Sequence, residues 1–304
     1  MSTTTTSGIT TSAELEAANV VHAVGEKKRS GTWWKYVLAI IALIWALFPI
    51  VFIVSAAFNP SGTLSTTQLL PNNIGTDNFT QLFDIRPYWA WYKNTLFIAG
   101  VGAFASVFIG AAAAYAFSRM RFYGRRGGLM TLLLAQMFPV MLAFVAMYLT
   151  FDYIGDSIPA IGLNTQIGLM IAYLGGAMGA NVWLFKGYFD TVPRELDEAA
   201  KVDGASHARI FFTIILRLVL PILATVGMLA FVGLFSEFLL ASIFLKDAEN
   251  QTLAVGLWAL LKADKNKYFG PFCAGALLAS VPVMALYFAV QRFLVGGLTA
   301  GSVK

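Results

Sequence analysis

The sequence has 304 residues, 58% of them hydrophobic and 12% charged, with a formal net charge of +5. Soluble domains carry roughly a quarter charged residues, so a water-facing surface cannot be built from this composition and lipid is the expected solvent. The single cysteine, Cys273, excludes an intrachain disulfide and a cysteine-based zinc site, and the basic residues are spread by position rather than gathered into a nucleic-acid patch.

The first thirty or so residues are rich in Thr and Ser and end in Glu26, Lys27, Lys28 and Arg29. Without an apolar period they read as a disordered, solvated tail over 1–32, followed by a membrane domain over 33–304. A secretory leader needs a basic start followed closely by an apolar core. Here the apolar run begins only near Tyr36 and is long enough to span, which predicts an uncleaved helix.

Crossing the hydrocarbon takes ~20 mostly apolar residues. Six stretches qualify, giving an all-α membrane protein with six transmembrane helices: Tyr36–Phe58, Asn94–Phe117, Leu129–Phe151, Ile167–Tyr188, Ile214–Leu245 and Phe272–Leu294. Gly110 and Ala111–Ala114 in the second, and Gly175 and Gly179 at GxxxG spacing in the fourth, are expected helix–helix seams, because small residues let backbones approach in lipid. Lys and Arg concentrate at Lys27–Lys35, Arg119–Arg126, Lys186–Arg217, Arg292 and Lys304. That bias predicts a multi-pass protein of the cell membrane with both termini in the cytoplasm. The Arg119–Arg126 cluster reads as a stop signal at the membrane face, with lipid headgroups as its only other suggested partner. The outer connections are then 59–93, 152–166 and 246–271; the last carries Leu253, Leu257, Leu260 and Leu261 at helical spacing. Loops of that length are often functional, and a helix lying on the bilayer is the plain alternative.

The cytoplasmic connection 190–213 is the most informative. Pro193 suits the first turn of a helix, and Glu195, Asp197 and Glu198 follow where the helix dipole favours acids. Leu196, Ala199, Ala200 and Val202 give a small apolar side. Gly204 tolerates the left-handed geometry that ends a helix, and Ser206 is a plausible N-cap for a second helix that runs into span five. The expectation is a short, rigid helix held off the membrane and able to transmit a push. Further on, Glu237 lies in the outer half of span five, where an acid costs on the order of 3 kcal/mol. It reads either as a gate or cavity residue or as a buried structural hydrogen bond or partner-subunit contact. Gln136 and Asn181 read as bundle-interior hydrogen bonds in preference to sugar contacts. Trp33, Trp34, Trp89, Trp91 and Tyr92 sit at span ends as an interfacial belt, so no sugar pocket is nominated from the aromatics.

Glu198-Ala199-Ala200, Gly204, and then Ile214 and Leu216 resemble the EAA loop of binding-protein-dependent ABC importer permeases. Ser236-Glu237 through Ala241-Ser242, Thr252–Leu257 and the tail Gln291–Gly301 are similar to the smaller permease subunit of maltose/maltodextrin importers. The resemblance covers nearly everything after Trp33 and implies a type I ABC importer permease architecture. It implies that Glu195, Glu198, Ala199, Ala200, Asp203 and Gly204 couple to an ATPase. It further implies that Glu249, Asn250, Gln251 and Thr252 reach an extracytoplasmic sugar-binding protein, and that Leu298, Thr299, Ala300 and Gly301 touch the ATPase. The partners so implied are a second permease subunit, a dimer of ATPase subunits, the binding protein and membrane lipid. One departure concerns the bend into span five: the family's proline after Ile-x-Leu is Arg217 here, and the nearest proline is Pro221.

No GxxxxGK[ST] phosphate loop and no HExxH occur, and His22 and His207 lie far apart. ATP and Mg are therefore expected on a separate ATPase chain, with no catalytic residue, metal or cofactor on this one. An ion-gradient-driven sugar transporter using Glu237 is the rival reading; an intramembrane enzyme lacks any catalytic pair.

Overall fold

The computed structural model describes residues 33–300 apart from 61–62, 66–67 and 70–72, without the side chains of 177, 178 and 294–300. The tail over 1–32 and Gly301 lie outside the described residues. Among the described residues all regular structure is helical. Four helices are long and apolar enough to cross a membrane, or six spans if each of two bent pairs counts as one. Contacts divide the chain into two units, residues 1–51 and 52–304. The described part of the first is the exposed, apolar body of helix α1 (Trp33–Phe58).

The second unit begins with the last turns of α1, whose Ala56 and Ala57 pack against Cys273 and Ala274. It continues through α2 (Asp77–Ile85), α3 (Tyr88–Arg119), α4 (Arg125–Gln136), α5 (Val140–Ser157) and α6 (Gln166–Thr191). A short α7 (Arg194–Val202) leads to α8 (His207–Leu218), which contains a π-helical turn at Phe211–Ile215. α9 (Leu220–Ser236), α10 (Leu239–Phe244), α11 (Leu253–Ala263) and α12 (Phe269–Ala300) complete the chain. The largest interfaces are those of α3 with α6 and with α9. The expected seam explains the first: Ala111 and Ala114 are fully buried, and a Cβ on Gly110 would lie 2.7 Å from that of Asn181. The GxxxG pair is a seam at one end only. Gly179 seats the side chain of Gln136, whereas Gly175 faces open space.

Three expectations need correction. The stretch Leu129–Phe151 is not one helix: Met137, Phe138 and Pro139 separate α4 from α5, with Pro139 at the N-cap of α5. Ile214–Leu245 is broken twice. α8 meets α9 at 80°, and Glu237 and Phe238 interrupt the helix between α9 and α10. The first bend forms despite Arg217, because Pro221 in the first turn of α9 cannot donate to the carbonyl four residues earlier. Finally, the connections expected to be outer loops are partly helical. α2 and the first turns of α3 occupy 77–93, α5 extends to Ser157, and α11 lies inside 246–271. The apolar stripe of α11 is no bilayer surface: Leu253, Leu257 and Leu260 are buried against Tyr88 and Trp91 of α3.

The contact between α11 and α3 is close. A Cβ on Gly256 would overlap the indole of Trp91, which is buried and donates its Nε1 hydrogen to the carbonyl of Ala248. Overpacking of this kind costs about 1–3 kcal/mol. Gly256→Ala is therefore expected to lower the thermal midpoint of the detergent-solubilised protein; an unchanged midpoint would show that Trp91 relaxes freely.

Candidate functional site

Helix α7 is built by local rules that the sequence carries. Pro193 is its N-cap residue, Glu195 and Asp197 stand in its first turn and Lys201 in its last, each charge matching the nearer end of the helix dipole. Gly204 has φ of +81°. The amide of Ala205 donates to the carbonyl of Ala200 at 2.9 Å, and that of Gly204 to Lys201 at 3.0 Å. Together these bonds make a Schellman cap, in which a left-handed residue lets the chain satisfy the last carbonyls and reverse. Two residues later the hydroxyl of Ser206 accepts from the amide of Arg209 at 3.3 Å, starting α8.

One face of this loop is fixed to the end of α3. The guanidinium of Arg119 meets Asp197 at 2.8 Å, with side chains only 3% and 6% exposed. The same guanidinium donates through Nη2 to the carbonyl of Val192 at 2.7 Å. Ser118 donates to Asp190 at 2.6 Å, and Lys186 donates to the other oxygen of that carboxylate. Tyr115 and His207 Nδ1 approach to 3.4 Å. Beneath these polar ties, Ala200 and Ala205 pack onto a core that includes Tyr115, Phe185, Phe189 and Phe211. A buried ion pair of this kind adds little net stability over apolar packing, but removing one member leaves a charge stranded. Its consequence is positional: α7 cannot shift without moving α3.

The opposite face is free. Glu195, Glu198, Ala199 and Asp203 are exposed, as is Gly204, while Ala200 is half-buried. Leu196 and Val202 are exposed at 42% and 88%, so part of the apolar side points outward rather than into the bundle. Sequence reasoning missed Arg119 and Asp197 as partners. Arg119 carries only the signal of its basic cluster, Asp197 only that of a first-turn acid, and nothing in the sequence links residues so far apart.

At the other end of the bundle, 246–252 is strapped rather than loose. Asn94 Nδ2 donates to the carbonyls of Glu249 and Gln251, and the Leu253 amide donates to Thr95 Oγ1. Asn164, with φ of +62°, accepts from the amides of Lys246 and Asp247, bonds the Asp247 carboxylate, and takes a bond from Asn250 on its carbonyl. Glu249 is exposed, Asn250 and Gln251 are half-buried, and Thr252 is buried at 2%; the accessible tip is Lys246–Glu249. Leu298, Thr299 and Ala300 lie in the last turn of α12, and the chain beyond is outside the described residues. No cluster of three or more His, Cys, Asp or Glu residues able to hold a metal ion occurs among the described residues.

Residues 106–299 match the family described as binding-protein-dependent transport system inner membrane component. The chain is 40% identical over 279 residues to the maltose/maltodextrin transport system permease protein MalG of Vibrio parahaemolyticus, covering 88% of this chain and 93% of that protein. It is 39% identical to the maltodextrin transport system permease protein MdxG of Bacillus subtilis, covering 88% and 95%. Against MalG of Escherichia coli the identity is 38%, covering 88% and 94%. A chain in the crystal structure of a bacterial ABC transporter involved in the import of the acidic polysaccharide alginate superposes with a TM-score of 0.71 at 22% identity, covering 94% of this chain and 99% of that one. At that identity the likeness shows a shared fold.

The Arg119–Asp197 pair makes a specific prediction. Arg119→Met and Asp197→Leu are each expected to destabilise by about 3–5 kcal/mol, while the double variant recovers most of the loss. A double-mutant cycle on unfolding of the purified protein measures this, and additive losses would mean that the two groups do not depend on one another.

Proposed function

The chain belongs to the binding-protein-dependent transport system inner membrane components, and from that premise we propose that it is a permease subunit of an ATP-driven importer for maltose, maltodextrins or a related oligosaccharide. The observation that carries this reading is α7: a Schellman-capped helix with its outward face free and its inward face fixed to α3. A helix so arranged can dock on another protein and pass a displacement into the spans. The names of the relatives support the sugar class.

In this reading ATP and Mg are bound by a separate dimer of ATPase subunits, and this chain performs no catalysis. Glu195, Glu198, Ala199 and Asp203 present the docking face, with Leu196 and Val202 as apolar anchors. Displacement of α7 reaches α3 through Asp197 and Arg119, and reaches α9 through α8 and the bend at Val219. A second permease completes the path. An extracytoplasmic sugar-binding protein docks at the opposite end, where Glu249 and its neighbours form the accessible tip. The tail from Leu298 to Gly301 is assigned to the ATPase, and both termini to the cytoplasm, in keeping with the distribution of Lys and Arg. The rival reading, ion-gradient transport, was motivated by Glu237 at membrane depth; that carboxylate accepts from Tyr173 and from the amides of Leu240 and Ala241, which gives it a capping role as well.

Reconstituting the complex in liposomes tests the proposal. Maltodextrin-loaded binding protein is expected to stimulate ATP hydrolysis and drive uptake; uptake that persists without ATP and collapses with a protonophore would overturn the reading. Gly204 then tests the coupling role. A Cβ there meets no atom within 4 Å, so substitution acts through backbone conformation alone. Gly204→Asn, which tolerates the left-handed region, is expected to retain coupled transport. Gly204→Val is expected to lose uptake while the complex still assembles. Equal activity of the two would remove Gly204 from the mechanism.

A further inference from the structure

A cavity of about 460 Å³ lies among α3, α6 and α9, walled by Ser106, Tyr173, Asn181 and Glu237 among apolar neighbours. Its size falls in the range of small-molecule sites. We propose that Glu237 and Asn181 form a contact surface for sugar hydroxyl groups, this chain's own contribution to the transport path. The proposal rests on the oligosaccharide reading above.

The polar groups of the wall are held in two pairs. Tyr173 donates to Glu237 at 2.5 Å, and Asn181 Nδ2 donates to Ser106 at 2.7 Å. Glu237 also accepts from the amides of Leu240 and Ala241 at 2.9 and 3.0 Å. An ionised carboxylate offers about four acceptor positions, so three bonds orient it and leave capacity to spare. Asn181 keeps its Oδ1 acceptor and a second N–H without a partner among the described residues.

Both side chains are half-buried and open to the cavity. Polar groups at membrane depth are costly unless they meet a partner or line an aqueous path. What this wall leaves unused, carboxylate and amide acceptors beside an amide donor, is what neutral hydroxyl groups take up. A cation would call for several acidic ligands, and no group of three occurs among the described residues. The rest of the lining is apolar, which suits the hydrophobic face of a sugar ring while the polar groups meet its edge.

The test uses the whole complex with its binding protein and ATPase in liposomes, supplied with maltotriose or a deoxy analogue lacking one hydroxyl. Glu237→Gln and Asn181→Leu are expected to slow maltotriose uptake on the order of tenfold, the scale of a lost hydrogen bond to a charged or well-placed polar group. They are also expected to reduce the preference for maltotriose over the analogue. Asn181→Leu does not touch the break in span five, so it separates sugar contact from helix capping. Tyr173→Phe leaves the carboxylate capped by two amides and is expected to keep the preference. Co-purification of all subunits reports assembly. An unchanged preference in both Glu237→Gln and Asn181→Leu would overturn the proposal while leaving the importer reading standing. Failure of the unaltered complex to transport any oligosaccharide would overturn both.

Discussion

A backbone amide or carbonyl in hydrocarbon has no water to bond, so each must find a partner in the chain. That constraint makes the spanning elements helical, and it also dictates what is needed where a helix stops. At α6, Thr165 accepts from the amide of Gly168. At α5 and α9 a proline stands at the N-cap or in the first turn, where a missing donor leaves nothing unsatisfied. At α10 the first-turn amides would be stranded by the break at Glu237 and Phe238, and the Glu237 carboxylate takes two of them. An acid at this depth is thus structurally justified before any role in transport is considered.

The same economy governs the loop around α7. A polar segment leaving the membrane could hang free, but here Arg119 gathers Asp197 and the carbonyl of Val192, and Ser118 and Lys186 hold Asp190. The ties converge on the last turn of α3, the helix with the largest interfaces to α6 and α9. Under the proposed coupling, a displacement of α7 reaches the best-connected helix of the bundle as well as the helix that follows it in sequence. The π turn at Phe211–Ile215 widens α8 next to this junction, and Phe211 within it packs on Tyr115.

How much of this was legible in the sequence follows from range. Signals within one turn of helix were readable: the acids at the start of α7, Gly204 at its end, Ser206 as the next cap. Hydropathy located the apolar stretches, where the structure has four single helices and two bent pairs, since length and apolar content are local sums. It could not show breaks, because Pro139 and the Glu237–Phe238 junction leave the average hydropathy of their windows high. Pairings across the chain were invisible. Arg119 looked like one member of a basic cluster and Asp197 like one acid among three, and only the fold brings them together. Thr252 shows the converse: it sits in a polar run that reads as a loop tip, yet it is buried because Leu253 is drawn onto Thr95.

Span five carries two interruptions of different chemistry, and the difference bears on how such a bundle could move. The bend at Val219 follows from a donor that Pro221 lacks, a covalent fact. The break at Glu237 is held by hydrogen bonds between side chain, backbone and Tyr173, which can be exchanged for others. Under the proposed coupling, a displacement entering from α7 crosses the proline bend before it arrives at an exchangeable joint. Under the proposed sugar contact, a hydroxyl takes the acceptor position that Tyr173 and the two amides leave on Glu237, so ligand and helix cap share one carboxylate. Occupancy of the path and the cap of α10 then depend on one side chain.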